Sequence, residues 1–291
     1  MRAVLDLGGD FVWDGDGLLM DWSRPAAAAA IYLFACVASN SARPRGQRPP
    51  APLSALPAYI ERYALAHNAV LVAFSALVCV CTSAHFAAEV SRVGLRSILC
   101  PPPQQLQPLA GPLHYWCYIF YLSKYYEMAD TAILIARRKR IIPLHALHHA
   151  FIPLTMCILF DGGNSIALIG LGVVNSLVHV VMYSYYLCSD LGLKPPVTWK
   201  RSITRLQILQ FSTGVVGCTY YWFLYFRDVR VHLYPPRWPL LEYTEGCSGG
   251  EPTTVLIGYL SNLALLWMFV NFYRRTYHHG TSGTVNAKKT R

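Results

Sequence analysis

The sequence predicts an all-α, polytopic membrane protein of about seven transmembrane helices. Three observations point there. The chain is 54% hydrophobic. Only 14% of its residues are charged, against about 25% in an ordinary soluble domain. Its apolar runs are long enough for a hydrocarbon core roughly 30 Å thick, which needs about 20 such residues per helix. These runs fill nearly the whole of 291 residues, so one membrane domain is expected over 25–275, between a segment at 1–24 and a tail at 276–291.

The elements follow in order. The opening segment is acidic and lacks the basic n-region of a cleavable signal peptide. Spans are expected at about 25–40, 66–88, 113–136, 144–160, 165–188, 204–226 and 253–273. The first is short and Ala-rich, and Ala42–Pro57 is an irregular loop rich in Pro and Arg. Basic residues alternate with the spans. Arg43, Arg45 and Arg48 follow the first, Arg137, Arg138, Lys139 and Arg140 the third, Lys194, Lys200 and Arg201 the fifth, and Arg274 and Arg275 the seventh. The intervening loops, 89–112, Asp161–Asn164 and 227–252, are poorer in Lys and Arg. Positive-inside then places the C-terminus in the cytosol and the N-terminus across the membrane, which requires an odd number of spans.

The formal charge of +10 does not signify nucleic acid, because the basic residues sit in short loops and do not track a groove with stacking aromatics. Topology signals, lipid headgroups and phosphates account for them better. The nine cysteines contain no CxxC pair, and most are packing residues inside apolar runs.

Several spans carry polar groups that are costly at bilayer depth. In the third, Lys124, Glu127 and Asp130 follow one another at intervals of three, toward one side of a helix. Their expected role is to pair with one another and hold neighbouring reactive groups. Next comes His145-Ala-Leu-His148-His149, whose i, i+3, i+4 spacing converges three imidazoles at the basic edge of the fourth span. Histidine titrates near neutrality and serves as base, nucleophile or metal ligand. The fifth span aligns Asn175, His179 and Met182–Tyr183 on one stripe, followed by Tyr185 and Tyr186. The sixth opens with Thr204, Gln207, Gln210 and Phe211, where the amides can orient a histidine, bind a carbonyl or join helices.

These segments together resemble the ELO family, the very-long-chain fatty-acid elongases. The matching text is Lys124-x-x-Glu127-x-x-Asp130-Thr131, His145-x-x-His148-His149, Asn175-x-x-x-His179-x-x-Met182-Tyr183-x-Tyr185-Tyr186 and Thr204-x-x-Gln207-x-x-Gln210. A weaker tail of Phe272-Tyr273 and Tyr277 completes it. HxxHH alone also occurs in desaturases; four motifs in register over about 110–277 are far more specific.

The resemblance implies a 3-ketoacyl-CoA synthase of seven helices, the first six forming a barrel around an acyl tunnel. Such an enzyme joins an acyl-CoA to malonyl-CoA, releasing CO2 and CoA. It implies His148 as the acyl-accepting nucleophile and His179 as base or enolate stabiliser. His145 and His149 would orient the pair, and Gln207 or Asn175 would donate to an oxyanion. Arg137, Arg138, Lys139, Arg140, Lys200, Arg201 and Arg205 are the candidates for the CoA phosphates. No cofactor and no metal are expected beyond the two substrates. Membrane lipid surrounds the chain, and a homodimer and the other elongation-cycle enzymes are its expected partners.

An endoplasmic reticulum location makes a disulfide between Cys100 and Cys247 an expectation, since both fall in loops placed in the lumen. Lys288 and Lys289, the fourth and third residues from the end, resemble a retrieval signal. Two rivals stand beside this reading. A di-iron desaturase needs more clustered imidazoles than the one HxxHH supplies, because His67, His85, His114 and His232 are scattered and His278 and His279 lie in the tail. A seven-span transporter explains intramembrane charge but not a histidine cluster beside a basic loop.

Overall fold

Glycine and proline mark the helix boundaries. Gly94, at φ +80°, ends a helix that begins directly after Pro57. Gly111, at φ +81°, turns the chain into a helix with a proline in its first turn, the backbone sign that glycine tolerates best. The protein is described by a computed structural model over residues 6–42, 57–99, 109–163, 165–227, 229–232, 240–243 and 251–277.

The helices are α1 (Ser23–Ser41), α2 (Ala58–Val93), α3 (Leu95–Leu99), α4 (Gly111–Tyr126), α5 (Ala129–Ala136), α6 (Pro143–Asp161), α7 (Ser165–Gly170), α8 (Ser176–Asp190), α9 (Val197–Arg227) and α10 (Pro252–Tyr277). Each of the seven expected spans coincides with helix. A π turn, Leu171–Asn175, joins α7 to α8. Between α9 and α10 lies a short antiparallel hairpin, β1 (Val229–His232) with β2 (Leu240–Tyr243), in which Val229 faces Tyr243. It falls in the loop after the sixth span and leaves the membrane part wholly helical.

Among the described residues, four segments are long and apolar enough to cross a membrane on length and composition alone: α2, α6, Ile166–Asp190 and α10. Of the remaining spans, α4–α5 carries Lys124, Glu127 and Asp130 and α9 carries Gln207 and Gln210, while α1 is short and Ala-rich. The third expected span is not one helix but two. Met128, Asp130 and Thr131 each donate their backbone N–H three residues back, to Tyr125, Glu127 and Met128. The helix is interrupted between Tyr126 and Ala129, and six residues at about 100° each already set Asp130 about 120° round from Lys124.

The helices close into a ring in the order α2, α8, α9, α10, α6, α4 and back to α2. This is a six-helix barrel of spans two to seven, not of the first six. The first span, α1, lies against α6 and α5. A ring member must offer apolar surface to two neighbours, whereas α1 buries a single stripe of Pro25, Ala29, Tyr32 and Cys36.

The main core gathers Trp116, Phe120 and Tyr121 of α4, Met156, Leu159 and Phe160 of α6, and Val78 and Cys81 of α2. Phe11, Trp13, Leu19 and Met20 of the N-terminal segment belong to it. Trp13 stacks on Phe160 at 4.3 Å and donates its indole N–H to Asp161 at 2.8 Å. The Tyr118 and Tyr121 hydroxyls donate to the carbonyls of Leu18 and Leu19.

At the opposite end of the ring, Arg137 pairs with Glu61 of α2 at 3.0 Å and Asp190 of α8 at 2.8 Å. Asn68 donates to the other Asp190 oxygen at 2.8 Å. Seven cysteines, Cys36, Cys79, Cys81, Cys117, Cys157, Cys188 and Cys218, are free thiols. Cys100, Cys247, Lys288 and Lys289 lie outside the described residues.

Candidate active site

The site is assembled where the first two turns of α6 face the α4–α5 break and α8. Pro143 starts α6, and the helical spacing brings the three imidazoles together. His149 lies 4.5 Å from His145 between ring centres and 5.3 Å from His148, the latter pair at 88°. Pro153 within α6 has no N–H for the carbonyl four residues earlier, that of His149. A backbone acceptor is thereby released beside the cluster.

Each histidine has different surroundings. His145 Nε2 meets the Thr131 hydroxyl at 2.8 Å, and the same oxygen meets the Tyr32 hydroxyl at 2.6 Å. His149 is buried, wedged against His145, His148 and Tyr32. His148 stands edge-on to Phe269 of α10 at 6.5 Å. Its Nδ1 is buried without a hydrogen-bond partner among the described residues. It lies within electrostatic range of His179, Lys124 and Glu127. Of the three, His148 is the one whose unpartnered ring nitrogen is fully buried.

Lys124 and Glu127 form the buried ion pair that their spacing predicts, at 2.7 Å with side chains 3% and 2% exposed. Ser123 donates to the same carboxylate oxygen at 3.2 Å, and the Lys124 ammonium sits 3.8 Å above the Phe120 ring. Glu127 Oε1 lies 3.5 Å from His179 Nδ1, close enough for charge attraction but outside hydrogen-bond geometry. Lys124 also donates to Asn175 Oδ1 at 3.3 Å, and the Asn175 amide donates to Gln210 Oε1 at 3.3 Å. A polar chain thus runs from α4 through the π turn to α9.

Asp130 does not join this pair. It faces α2 and α8, where Oδ1 meets His67 Nε2 at 2.8 Å and Oδ2 accepts the Tyr183 hydroxyl at 2.8 Å. Tyr183 in turn stands edge-on to His179, at 5.4 Å and 89°. His67 and Tyr32 were not singled out from sequence. The available signal was the ionisable group within an otherwise apolar run at α2, since such residues inside a membrane helix usually have a function.

Gln207 donates its amide to the Met182 sulfur at 3.6 Å. Thioether sulfur is a weak acceptor, so this donor is readily redirected, whereas the Asn175 amide already serves Gln210. The basic residues divide similarly. Arg137 is engaged between α2 and α8, which removes it from the phosphate-binding candidates. Arg138, Lys139, Arg140, Lys200 and Arg205 are exposed at the same end of the ring, with Arg201 half-buried. Arg201 and Arg205 both donate to the Tyr273 hydroxyl, at 2.8 and 3.0 Å. That contact links α9 to the tail residues Tyr273 and Tyr277.

A cavity of about 360 Å³ begins beside the polar chain and is lined by α6, α7, the π turn, α9 and α10. Gln210, Ile152 and Val174 lie at its polar end; Tyr221, Leu224 and Val255 line the other. Ile152 is one turn beyond His148 on α6. Gln210 to Leu224 is 14 residues of α9, a rise of about 21 Å. Among the described residues, no group of three His, Cys, Asp or Glu side chains converges as a metal site.

Residues 18–284 match the family model ELO: GNS1/SUR4 family, which carries the likeness well upstream of the motifs. The chain is similar to fatty acid elongase sre1 of Dictyostelium discoideum, 39% identical over 171 residues, 57% of this chain and 60% of that protein. Fatty acid elongase A of the same organism is 31% identical over 232 residues, 77% of this chain and 74% of the relative. Fatty acid elongase 4 of Trypanosoma brucei brucei is 29% identical over 265 residues, 88% and 84% of the two chains. No solved structure matches.

Proposed function

This chain belongs to the ELO, GNS1/SUR4, family, and from that premise we propose that it catalyses the condensing step of fatty-acid elongation as a 3-ketoacyl-CoA synthase. It is a membrane-embedded enzyme of fatty-acid elongation. The observation that carries the finer reading is a largely apolar cavity whose lining begins at Ile152, one helical turn beyond His148.

In this reading a ring nitrogen of His148 attacks the thioester carbonyl of a long-chain acyl-CoA. The C–S bond breaks, CoA leaves as the thiol with the imidazole proton, and an acyl-imidazole remains. Malonyl-CoA then loses CO2, and the electron pair of that C–C bond passes to an enolate. The enolate carbon attacks the acyl carbonyl, the C–N bond breaks, and the departing imidazolate takes up one proton from water, which regenerates His148 as 3-ketoacyl-CoA forms. His179 stabilises the enolate, with Glu127 and Tyr183 holding its ring. His145 and His149 hold His148, Thr131 anchors His145, and Gln207 supplies the redirectable donor for the developing oxyanion.

The CoA phosphates fall to the basic end of the ring, where Arg201 and Arg205 meet Tyr273 and where Arg138, Lys139, Arg140 and Lys200 are exposed. The reading needs no cofactor or metal beyond acyl-CoA and malonyl-CoA. It places the protein in the endoplasmic reticulum, with the basic end and Lys288–Lys289 in the cytosol and the Cys100–Cys247 pair in the lumen. Lipid surrounds it, and a second copy or the other enzymes of the cycle are its partners.

Detergent-purified protein is expected to convert acyl-CoA and malonyl-CoA to 3-ketoacyl-CoA without added metal, with one CO2 and one CoA released per product. Failure of fully folded protein to release CO2 from the pair would overturn the reading. Dependence on iron and oxygen would favour a desaturase instead.

The cavity makes a second prediction. An extended hydrocarbon chain advances about 1.25 Å per carbon, from bonds near 1.5 Å and angles near 111°, so about 21 Å holds roughly 16 carbons. Gly217 lines this cavity, and a Cβ there would meet nothing within 4 Å. Gly217→Leu should therefore fold and block the far half. The preferred acceptor is expected to shorten by about eight carbons, the span from residue 217 to 224. Unchanged chain-length preference in a competition assay would place the acyl chain elsewhere.

A further inference from the structure

His67 belongs to none of the motifs, yet it is 1% exposed, more deeply buried than any other histidine among the described residues. Its ring lies between those of Tyr63, at 6.0 Å and 24°, and Tyr126, at 4.9 Å and 37°. Its Nε2 reaches Asp130 Oδ1 at 2.8 Å. The other Asp130 oxygen accepts the Tyr183 hydroxyl, and the Tyr183 ring abuts His179. Four side chains on α2, α5 and α8 thus form one unbroken line ending at His179.

Helix anchoring does not account for this line. The junction of α2 with α8 already has Asn68 on Asp190 and the Glu61–Arg137–Asp190 bridge. It also buries Leu71 and Val78 of α2. A further imidazole–carboxylate contact inside a membrane helix is costly and unnecessary for packing. The hydrogen-bond geometry also selects a tautomer. With the proton on Nε2, His67 donates to Asp130 and leaves only a lone pair at Nδ1, which has no partner among the described residues. A proton on Nδ1 would instead be a buried donor with no acceptor.

We propose that His67 is a positioning residue for the second half of the reaction. Donating from Nε2, it fixes the Asp130 carboxylate, which holds the Tyr183 hydroxyl and so the ring face against which His179 is set. The proposal rests on His179 acting in the malonyl step. It predicts a defect in that step alone, because the His145–His148–His149 cluster has its own support from Thr131 and Tyr32.

The test compares His67→Leu, His67→Gln and Tyr183→Phe in detergent-purified protein. It follows intact mass after acyl-CoA alone and then after malonyl-CoA. His67→Leu should acquire the acyl adduct at the wild-type rate but discharge it about 10- to 100-fold more slowly, the usual cost of deleting a group that orients a functional side chain. The KM values should stay within about twofold, since no binding contact is removed. His67→Gln, which keeps an N–H at similar reach, should recover most of the rate. Tyr183→Phe should share the defect, and the His67→Leu/Tyr183→Phe double variant should be no slower than the worse single one.

Wild-type discharge in either single variant, or acylation and discharge falling together, would overturn the proposal. If His67→Leu does not accumulate, Tyr183→Phe, which removes one oxygen, decides the same comparison. If wild-type enzyme turns over without any adduct, the histidine-nucleophile reading fails separately. His67 is then judged by overall kcat: a fall in His67→Leu with rescue by His67→Gln supports it, and no fall or no rescue refutes it.

Discussion

Brief incubation with a long-chain acyl-CoA alone is expected to add one acyl mass to the wild-type protein and none to His148→Ala. Malonyl-CoA should discharge the adduct. Condensation by His148→Ala should fall by about a thousandfold or more, as when the nucleophile of a concerted catalytic group is deleted. The prediction rests on the asymmetry within the cluster. His145 is occupied by Thr131 and His149 is packed between two imidazoles and Tyr32, whereas a buried nitrogen of His148 has no protein partner among the described residues. An active wild-type enzyme that never carries an acyl group would exclude the covalent route and leave these histidines as bases in a direct condensation.

The second large effect concerns Lys124 and Glu127. Glu127→Leu leaves an ammonium, and Lys124→Met a carboxylate, buried at 2–3% exposure. Removing one partner of such a pair costs about 3–5 kcal/mol, while replacing both with apolar groups of similar volume is often neutral. Each single variant is therefore expected to melt earlier in detergent, and the Lys124→Met/Glu127→Leu double variant to recover most of that loss. Activity should not return with stability. The double variant lacks the carboxylate beside His179 and the donor to Asn175. A stable and fully active double variant would reduce the pair to a structural brace.

The same residues show where sequence reasoning succeeds. The Lys124–Glu127 pair and the His145, His148 and His149 cluster lie within one or two helical turns, so local geometry alone brings them together. Apolar length marked the spans for the same reason. Asp130 continues the three-residue spacing of Lys124 and Glu127, but six residues of α-helix leave it about 120° round from Lys124. Nothing in Glu127-Met128-Ala129, which contains neither Gly nor Pro, announces the break between α4 and α5. The charge on Arg137 was plain, but its partners lie 76 and 53 residues away. His67 is 63 residues from Asp130 and looked like a scattered histidine.

The sequence by itself determined the solvent of this protein and the family to which it belongs. Burial in a bilayer requires long apolar helices with internally satisfied backbones, and the motifs declare which polar groups those helices carry. Only the tertiary structure decided which helices close the ring, that α1 stays outside it, and that Arg137 serves the scaffold while Gln207 keeps a donor free to turn. It also placed the cavity one turn beyond His148. These outcomes depend on side chains far apart in the chain meeting at 3 Å or so, the range at which hydrogen bonds and ion pairs act; periodicity records which face a residue occupies, but not what waits opposite.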